Sequence, residues 1–201
     1  NPELLAAIKK QLPIYKRGEM LANIVSLTKN IVVVGSHGKT TTTSLIASIF
    51  QETKIDPTII NGGVINSINN SAKLGKSDWS ILEADESDGS FLKLPSTNVI
   101  VTNIDAEHLD YYKSYKDLKI AFKKFINNIP FYGLAVICID NSTIQSIISE
   151  IEDKKITVYF MKLIERIVVK NAADEAERKR KQEERKSKTG GGQTYTHNVK
   201  G

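Results

Sequence analysis

Residues 30–41 read Asn-Ile-Val-Val-Val-Gly-Ser-His-Gly-Lys-Thr-Thr. The run from Asn30 to Val34 is continuous, largely β-branched and stopped by Gly35, which is the pattern of a strand buried on both faces. From Thr40 to Phe50 apolar residues return at helical spacing through Leu45, Ile46 and Ile49. Strand, glycine-bearing loop and helix make the unit a phosphate-binding loop requires. Glycines let backbone N–H groups converge on phosphate oxygens, and a helix N-terminus adds donors and a favourable dipole. In that unit Gly35, Ser36, His37, Gly38, Lys39, Thr40 and Thr41 form the cradle, with Lys39 reaching the β- and γ-phosphates and the Thr40 hydroxyl on Mg²⁺. The spacing departs from the usual G-x-x-x-x-G-K-[ST], the first glycine coming only at Gly35. The plainer alternative is a strand-to-helix turn that merely contains Gly-Lys-Thr.

Outward from this unit the pattern repeats. Short strands are expected at 58–60, 79–83, 98–102 and 134–139, and helices at 3–11, 17–27, 116–128 and 141–151. Alternating strands and helices predict an α/β fold with a mostly parallel sheet flanked by helices. Ligands in such sheets sit beyond the carboxyl ends of the strands. The residues after Val34, after Leu82 and after Thr102 fall there. Asn61-Gly62-Gly63 also ends a predicted strand and reads chiefly as a plain turn, the alternative being flexible backbone on the ligand side.

Two further stretches carry chemistry. Glu83-Ala84-Asp85-Glu86-Ser87-Asp88 places four carboxylates in six residues at a strand end. Such groups raise each other's pKa unless a cation is present, and a divalent ion bridging to phosphate is the natural remedy. Glu83 is best placed, because it ends the apolar run Trp79-Ser80-Ile81-Leu82. Asp85, Glu86 and Asp88, taken singly, read as a solvated acidic loop. In Thr102-Asn103-Ile104-Asp105-Ala106-Glu107-His108-Leu109-Asp110, His108 is a candidate metal ligand, with Asp105 or Asp110 orienting it. A loop histidine with a purely structural role is the plainer reading. His37 either shapes the loop or faces the reacting phosphoryl group, and His197 is incidental.

The 201 residues carry 28 Lys+Arg and 23 Asp+Glu, a net charge of +5, which taken alone suggests a polyanionic partner. The position of the charge argues against it. Residues 1–160 hold 17 of each sign, whereas residues 161–201 hold 11 basic and 6 acidic, so the surplus belongs to the tail. Acidic residues interrupt that tail between Asp174 and Lys188 and no aromatic side chains are available there for stacking, so nucleic acid is not the expected partner. At 40% hydrophobic the chain can build a core. No apolar run approaches the ~20 residues of a spanning helix, so no membrane partner is expected. The lone Cys138 and the absence of a secretory leader pattern point to a reducing, cytoplasmic setting.

The stretches RGEML (17–21), GSHGKTTTT (35–43), DPTIINGG (56–63), EADESDGSFL (83–92), VTNIDAEHLD (101–110) and NNIPFYGLAVICID (127–140), in this order, resemble the central ATPase domain of the Mur ligases. That domain is P-loop NTPase-like, and the short phosphate-loop spacing is the family's own form. The resemblance covers residues 1–160. It implies an ATP-dependent ligase of peptidoglycan precursor synthesis. The ESDGSF stretch resembles the branch that joins L-alanine to UDP-N-acetylmuramate, and the branch that attaches a preformed tripeptide to the same UDP-sugar is the alternative. It implies catalytic roles for Lys39, Glu83 and His108: Lys39 on the phosphates, Thr40 and Glu83 on one Mg²⁺, and His108 on a second Mg²⁺ near an acyl phosphate. The implied chemistry is attack of a substrate carboxylate on the γ-phosphoryl of ATP, then displacement of phosphate by the amine of L-alanine. Ser36 stands where threonine is common, and Ala106-Glu107 where Pro-Asp is common; neither removes a ligand.

Three domains are expected in a full enzyme of this kind. Residues 1–15 then resemble the end of an N-terminal UDP-sugar domain with its linker, and residues 16–160 the central ATP-binding domain. Residues 161–201 form a charged, Gly-containing tail, helical or disordered, outside the resemblance. On this reading the chain is a fragment that binds Mg²⁺-ATP weakly and does not ligate. The competing readings are an inactive remnant and a non-enzymatic P-loop protein with a polyanion-binding tail.

Overall fold

The computed structural model describes residues 1–66 and 68–151, and the backbone of 156–159. The tail expected at 161–201 lies outside the described residues. Strand β1 (Lys29–Val34) is the central element of a seven-stranded sheet, because Val32, Val33 and Val34 are fully buried between β4 (Trp79–Glu83) and β5 (Asn98–Val101). Beyond β4 lie β2 (Thr58–Ile65) and the edge strand β3 (Asn70–Lys73); beyond β5 lie β6 (Leu134–Cys138) and β7 (Ile156–Tyr159). The order is β3-β2-β4-β1-β5-β6-β7, and every neighbouring pair is parallel except β2 with β3.

From β1 the chain runs to β2 and β4 on one flank and then crosses to β5 on the other. The loops after β1, β4 and β5 therefore part at one end of the sheet, the kind of crevice in which α/β proteins hold ligands. Helix α3 (Lys39–Gln51) packs on β1, β2 and β4, turning Thr43 and Ala47 inward. Ala47 joins Ile59 and Ile65 in a buried cluster against which Ile68 packs. Elsewhere Phe91, in a 3-10 turn at Ser90–Lys93, sets its ring 5.4 Å from Phe122 and 4.9 Å from Phe125 of α5 (Tyr115–Asn127). Each such ring contributes roughly 1.5–3 kcal/mol through burial. Ser114 caps α5 and Asn141 caps α6 (Ser142–Ile148), each side chain accepting a backbone N–H. At the far end of β1, buried Asn30 donates to Pro95 O at 2.6 Å and accepts from the Thr97 N–H at 2.7 Å, tying β1 to the entry of β5.

The expected strands and helices are all found, with shifts of a few residues at their ends. Four short elements were not expected: β3, β7, the turn at Ser90–Lys93 and α4 (Leu109–Tyr112). Asn61-Gly62-Gly63 does not end a strand. These residues lie inside β2, where the register against β3 shifts between Ile60 and Ile65, so the turn reading is corrected to an irregular strand. Helices α1 (Pro2–Lys9) and α2 (Arg17–Val25) lie N-terminal to β1, and α1 buries no residue. Among the described residues no helix is long and apolar enough to cross a membrane.

Candidate active site

The loop between β1 and α3 has a shape that only its own residues allow. Gly35 sits at φ 142°, and a Cβ there would lie 2.0 Å from Thr102 Oγ1 and 2.9 Å from Asn103 O. Gly38, at φ 79°, caps α3 in the left-handed region. The β5–α4 loop clamps the turn from outside. Thr102 Oγ1 and Asn103 Nδ2 donate to His37 O at 2.7 and 3.0 Å, and Asn103 Oδ1 accepts the His37 N–H at 2.8 Å. Ser36 Oγ accepts the Asp105 N–H at 2.9 Å. Loop backbone and helix N-terminus are thereby held in place before any ligand arrives.

Lys39 begins α3 and folds back over this loop. Its ammonium donates to Gly35 O at 2.6 Å, Glu86 Oε1 at 2.8 Å and, more weakly, Ser36 O at 3.4 Å. Thr40 Oγ1 donates to Glu83 Oε1 at 3.2 Å, while Glu83 Oε2 accepts the Gly62 N–H at 2.8 Å. A Cβ on Gly62 would meet that carboxylate at 2.8–2.9 Å, so the glycine inside β2 lets Glu83 approach. A hydroxyl and a carboxylate so close together are hard oxygen donors of the kind Mg²⁺ takes alongside phosphate and water.

Glu86 is not part of a solvated loop. It is 1% exposed and ion-paired to Lys39, whose own side chain is 16% exposed. Burial pushes its carboxyl above the ordinary range, with the Lys39 hydrogen bond and charge opposing. Its second oxygen, Oε2, is buried without a hydrogen-bond partner among the described residues. The Tyr112 hydroxyl donates to the Glu86 backbone carbonyl, and burial pushes that phenol's pKa up. For Asp85 and Asp88 the solvated-loop reading holds, since both are exposed and close local turns on the Ser87 and Ser90 N–H groups. Nothing in the sequence marked Glu86: Ala84 is buried, Asp85 exposed and Glu86 buried just past the end of β4, an order that only the folded chain shows.

His108 adopts φ 55° at the start of α4, with Nε2 3.6 Å from Glu86 Oε1. Ligand atoms of Glu86, Glu107 and His108 all lie within 4.8 Å of one another, so the histidine gathers with Glu86 and Glu107, not with an orienting Asp110. Asp105 instead accepts from Asn141 Nδ2 at 3.2 Å and faces His37 at 3.6 Å. The His37 ring is exposed and lies 3.5 Å from Glu107 Oε1, so its backbone, not its ring, belongs to the loop's framework. Lys39, Glu83, Glu86 and His108 line one cleft of ≈ 800 Å³, together with Asn61, Gly62 and, from α2, Arg17, Met20, Leu21 and Ile24. A hollow of ≈ 840 Å³ that includes Lys29, Trp79, Asn98 and Tyr132 holds none of the predicted site residues.

The family model described as Mur ligase middle domain matches residues 33–199. The chain is 64% identical over 177 residues to a UDP-N-acetylmuramate–L-alanine ligase of Pelagibacter ubique, a match covering 88% of this chain and 38% of that protein. The protein of the same name from Azorhizobium caulinodans is 52% identical over 159 residues, covering 79% of this chain and 34% of its own length. The chain thus spans little more than a third of the length of these relatives. Among solved structures, a UDP-N-acetylmuramate-alanine ligase from Thermotoga maritima superposes with a TM-score of 0.66 at 27% identity, over 76% of this chain and 35% of that one. The UDP-N-acetylmuramate:L-alanyl-gamma-D-glutamyl-meso-diaminopimelate ligase from Neisseria meningitides gives 0.69 at 22% identity, over 77% of this chain and 53% of its own, a likeness of fold alone.

Proposed function

The chain belongs to the Mur ligase family, and from that premise we propose that its cleft binds ATP with Mg²⁺ and activates the carboxylate of UDP-N-acetylmuramate for ligation to L-alanine. The observation that carries the nucleotide reading is the cradle itself: Lys39 over the loop, with the Thr40–Glu83 pair beside it. The choice of L-alanine over a preformed tripeptide is supported by the 64% and 52% identity to ligases named for L-alanine.

In this reading the backbone N–H groups of Gly35–Thr41 hold the phosphate chain, and the Lys39 ammonium neutralises charge growing on the transferred γ-phosphoryl group. Thr40 and Glu83 would hold one Mg²⁺, and Glu86 with His108 would face a second. The metal supplies Lewis acidity toward the phosphoryl oxygens. Gly62 fixes the angle of the Glu83 carboxylate, and Tyr112 fixes the backbone of Glu86. The sugar carboxylate attacks the γ-phosphorus, ADP leaves, and the resulting acyl phosphate is opened by the L-alanine amine through a tetrahedral intermediate with release of phosphate.

The test is a titration of the full 201-residue chain with a fluorescent ATP analogue, with and without Mg²⁺. The wild-type chain is expected to bind about tenfold or more tightly with the metal, the scale of one charged contact. Glu83→Gln is expected to lose that gain while keeping metal-free binding. A Mg²⁺ gain that survives in Glu83→Gln contradicts the assignment.

A further inference from the structure

Lys39 is fully engaged in the structure. An ammonium has three N–H donors, and Gly35 O, Glu86 Oε1 and Ser36 O take all three. To reach two oxygens of a polyphosphate it must give up two of these contacts. The Ser36 contact, at 3.4 Å, is the weakest. The second to yield is set by charge: a carboxylate left beside arriving phosphate oxygens, at a site where its own residue is 1% exposed, is strongly repelled in the low local dielectric. The Gly35 carbonyl carries no such penalty.

We propose that Glu86 is an intramolecular stand-in for nucleotide phosphate on Lys39, holding the loop lysine until a polyphosphate displaces it. The inference rests on the nucleotide reading above and assigns a function to a residue outside the loop. Tyr112 anchors Glu86 through its backbone carbonyl, so the carboxylate can turn while the residue stays in place. The His108 Nε2, 3.6 Å from the same oxygen, gives the displaced carboxylate a donor within a short rotation. Arrival of phosphate is thereby coupled to the orientation of His108. Glu86 is a positioning residue that acts through Lys39.

The competition is read with inorganic triphosphate and a metal chelator, so that metal ligation does not enter. Five versions of the 201-residue chain are compared by calorimetry: wild type, Glu86→Gln, Glu86→Asp, Lys39→Ala and the Lys39→Ala, Glu86→Gln double variant. Glu86→Gln is expected to bind triphosphate about tenfold more tightly than wild type, since the charged pair that competed is gone, and to bring no gain in the Lys39→Ala background. Glu86→Asp, one methylene shorter, withdraws the carboxylate from hydrogen-bonding reach while keeping it charged. It guards against a folding defect in the glutamine variant and is expected to shift affinity the same way by less.

An equal gain with and without Lys39 overturns the proposal, because simple removal of a negative charge would then explain it. Unchanged or weaker binding by both Glu86 variants, with wild type still binding, overturns the stand-in and leaves the nucleotide site intact. Failure of the wild type and both Glu86 variants to bind triphosphate overturns both readings.

Discussion

Glu83 is usable because of a residue that is not charged. Gly62 offers its N–H to the carboxylate and leaves the space it occupies, so Glu83 can stand 3.2 Å from the Thr40 hydroxyl. Gly62→Ala would put a methyl carbon 2.8–2.9 Å from the carboxylate atoms, and the side chain must swing away. The Mg²⁺-dependent part of nucleotide affinity is expected to fall about tenfold, the worth of one charge-assisted contact, with little change in urea midpoint because only a flexible side-chain end gives way. Titration with and without Mg²⁺ checks this. Lys39, Thr40 and Glu83 were legible because strand ends and loop chemistry fall next to each other in sequence. Glu86 was not, because its partner lies 47 residues away and a carboxylate in an acidic stretch reads as solvated. Gly62 was misread for a related reason: an Asn-Gly-Gly sequence signals a turn locally, and only the neighbouring strand shows why the glycine is there.

Among the elements, the 3-10 turn at Ser90–Lys93 keeps the acidic loop close to the lysine. Phe91 is fully buried against Phe122 and Phe125, so Phe91→Ala is expected to cost about 3–5 kcal/mol in urea denaturation. The edge hairpin is held differently. The Lys73 ammonium sits 2.6 Å from Asp56 Oδ1 and, chiefly through that hydrogen bond, holds the Asp56 carboxyl below its ordinary 3.8. A folded-state pKa that is lowered contributes stability above the unfolded value, and that contribution disappears as pH falls through the folded one. Lys73→Met is therefore expected to lower stability slightly at neutral pH, where the pair is fully charged, to leave it unchanged in strong acid, and so to flatten the fall of the stability–pH curve below pH 3.8, as melts across pH would show. Longer elements were legible because β-branched runs and helical spacing are strong signals. Four-residue β3, polar Asn-Ser-Ala-Lys, was not, since it is a strand only because β2 offers it an edge.

At the scale of the molecule, the alternation of strands and helices was enough to expect a parallel sheet and to place the site at its carboxyl end. It did not give the strand order. That order depends on which strands bury both faces, and it is the central position of β1 between β4 and β5 that brings Lys39, Glu83 and His108 into one cleft. The charges that matter are local. The net +5 comes from residues 161–201, outside the described structure, while in the cleft Lys39 is ion-paired to Glu86 with Glu83 close by. The central claim is that this cleft is a nucleotide site worked by Lys39. Calorimetric titration of the full chain with Mg²⁺-ATP, wild type beside Lys39→Ala, tests it most directly. Saturable one-to-one binding that weakens at least about tenfold on loss of the charged lysine contacts is predicted. Equal affinity in the two chains, or no binding in either, would contradict it.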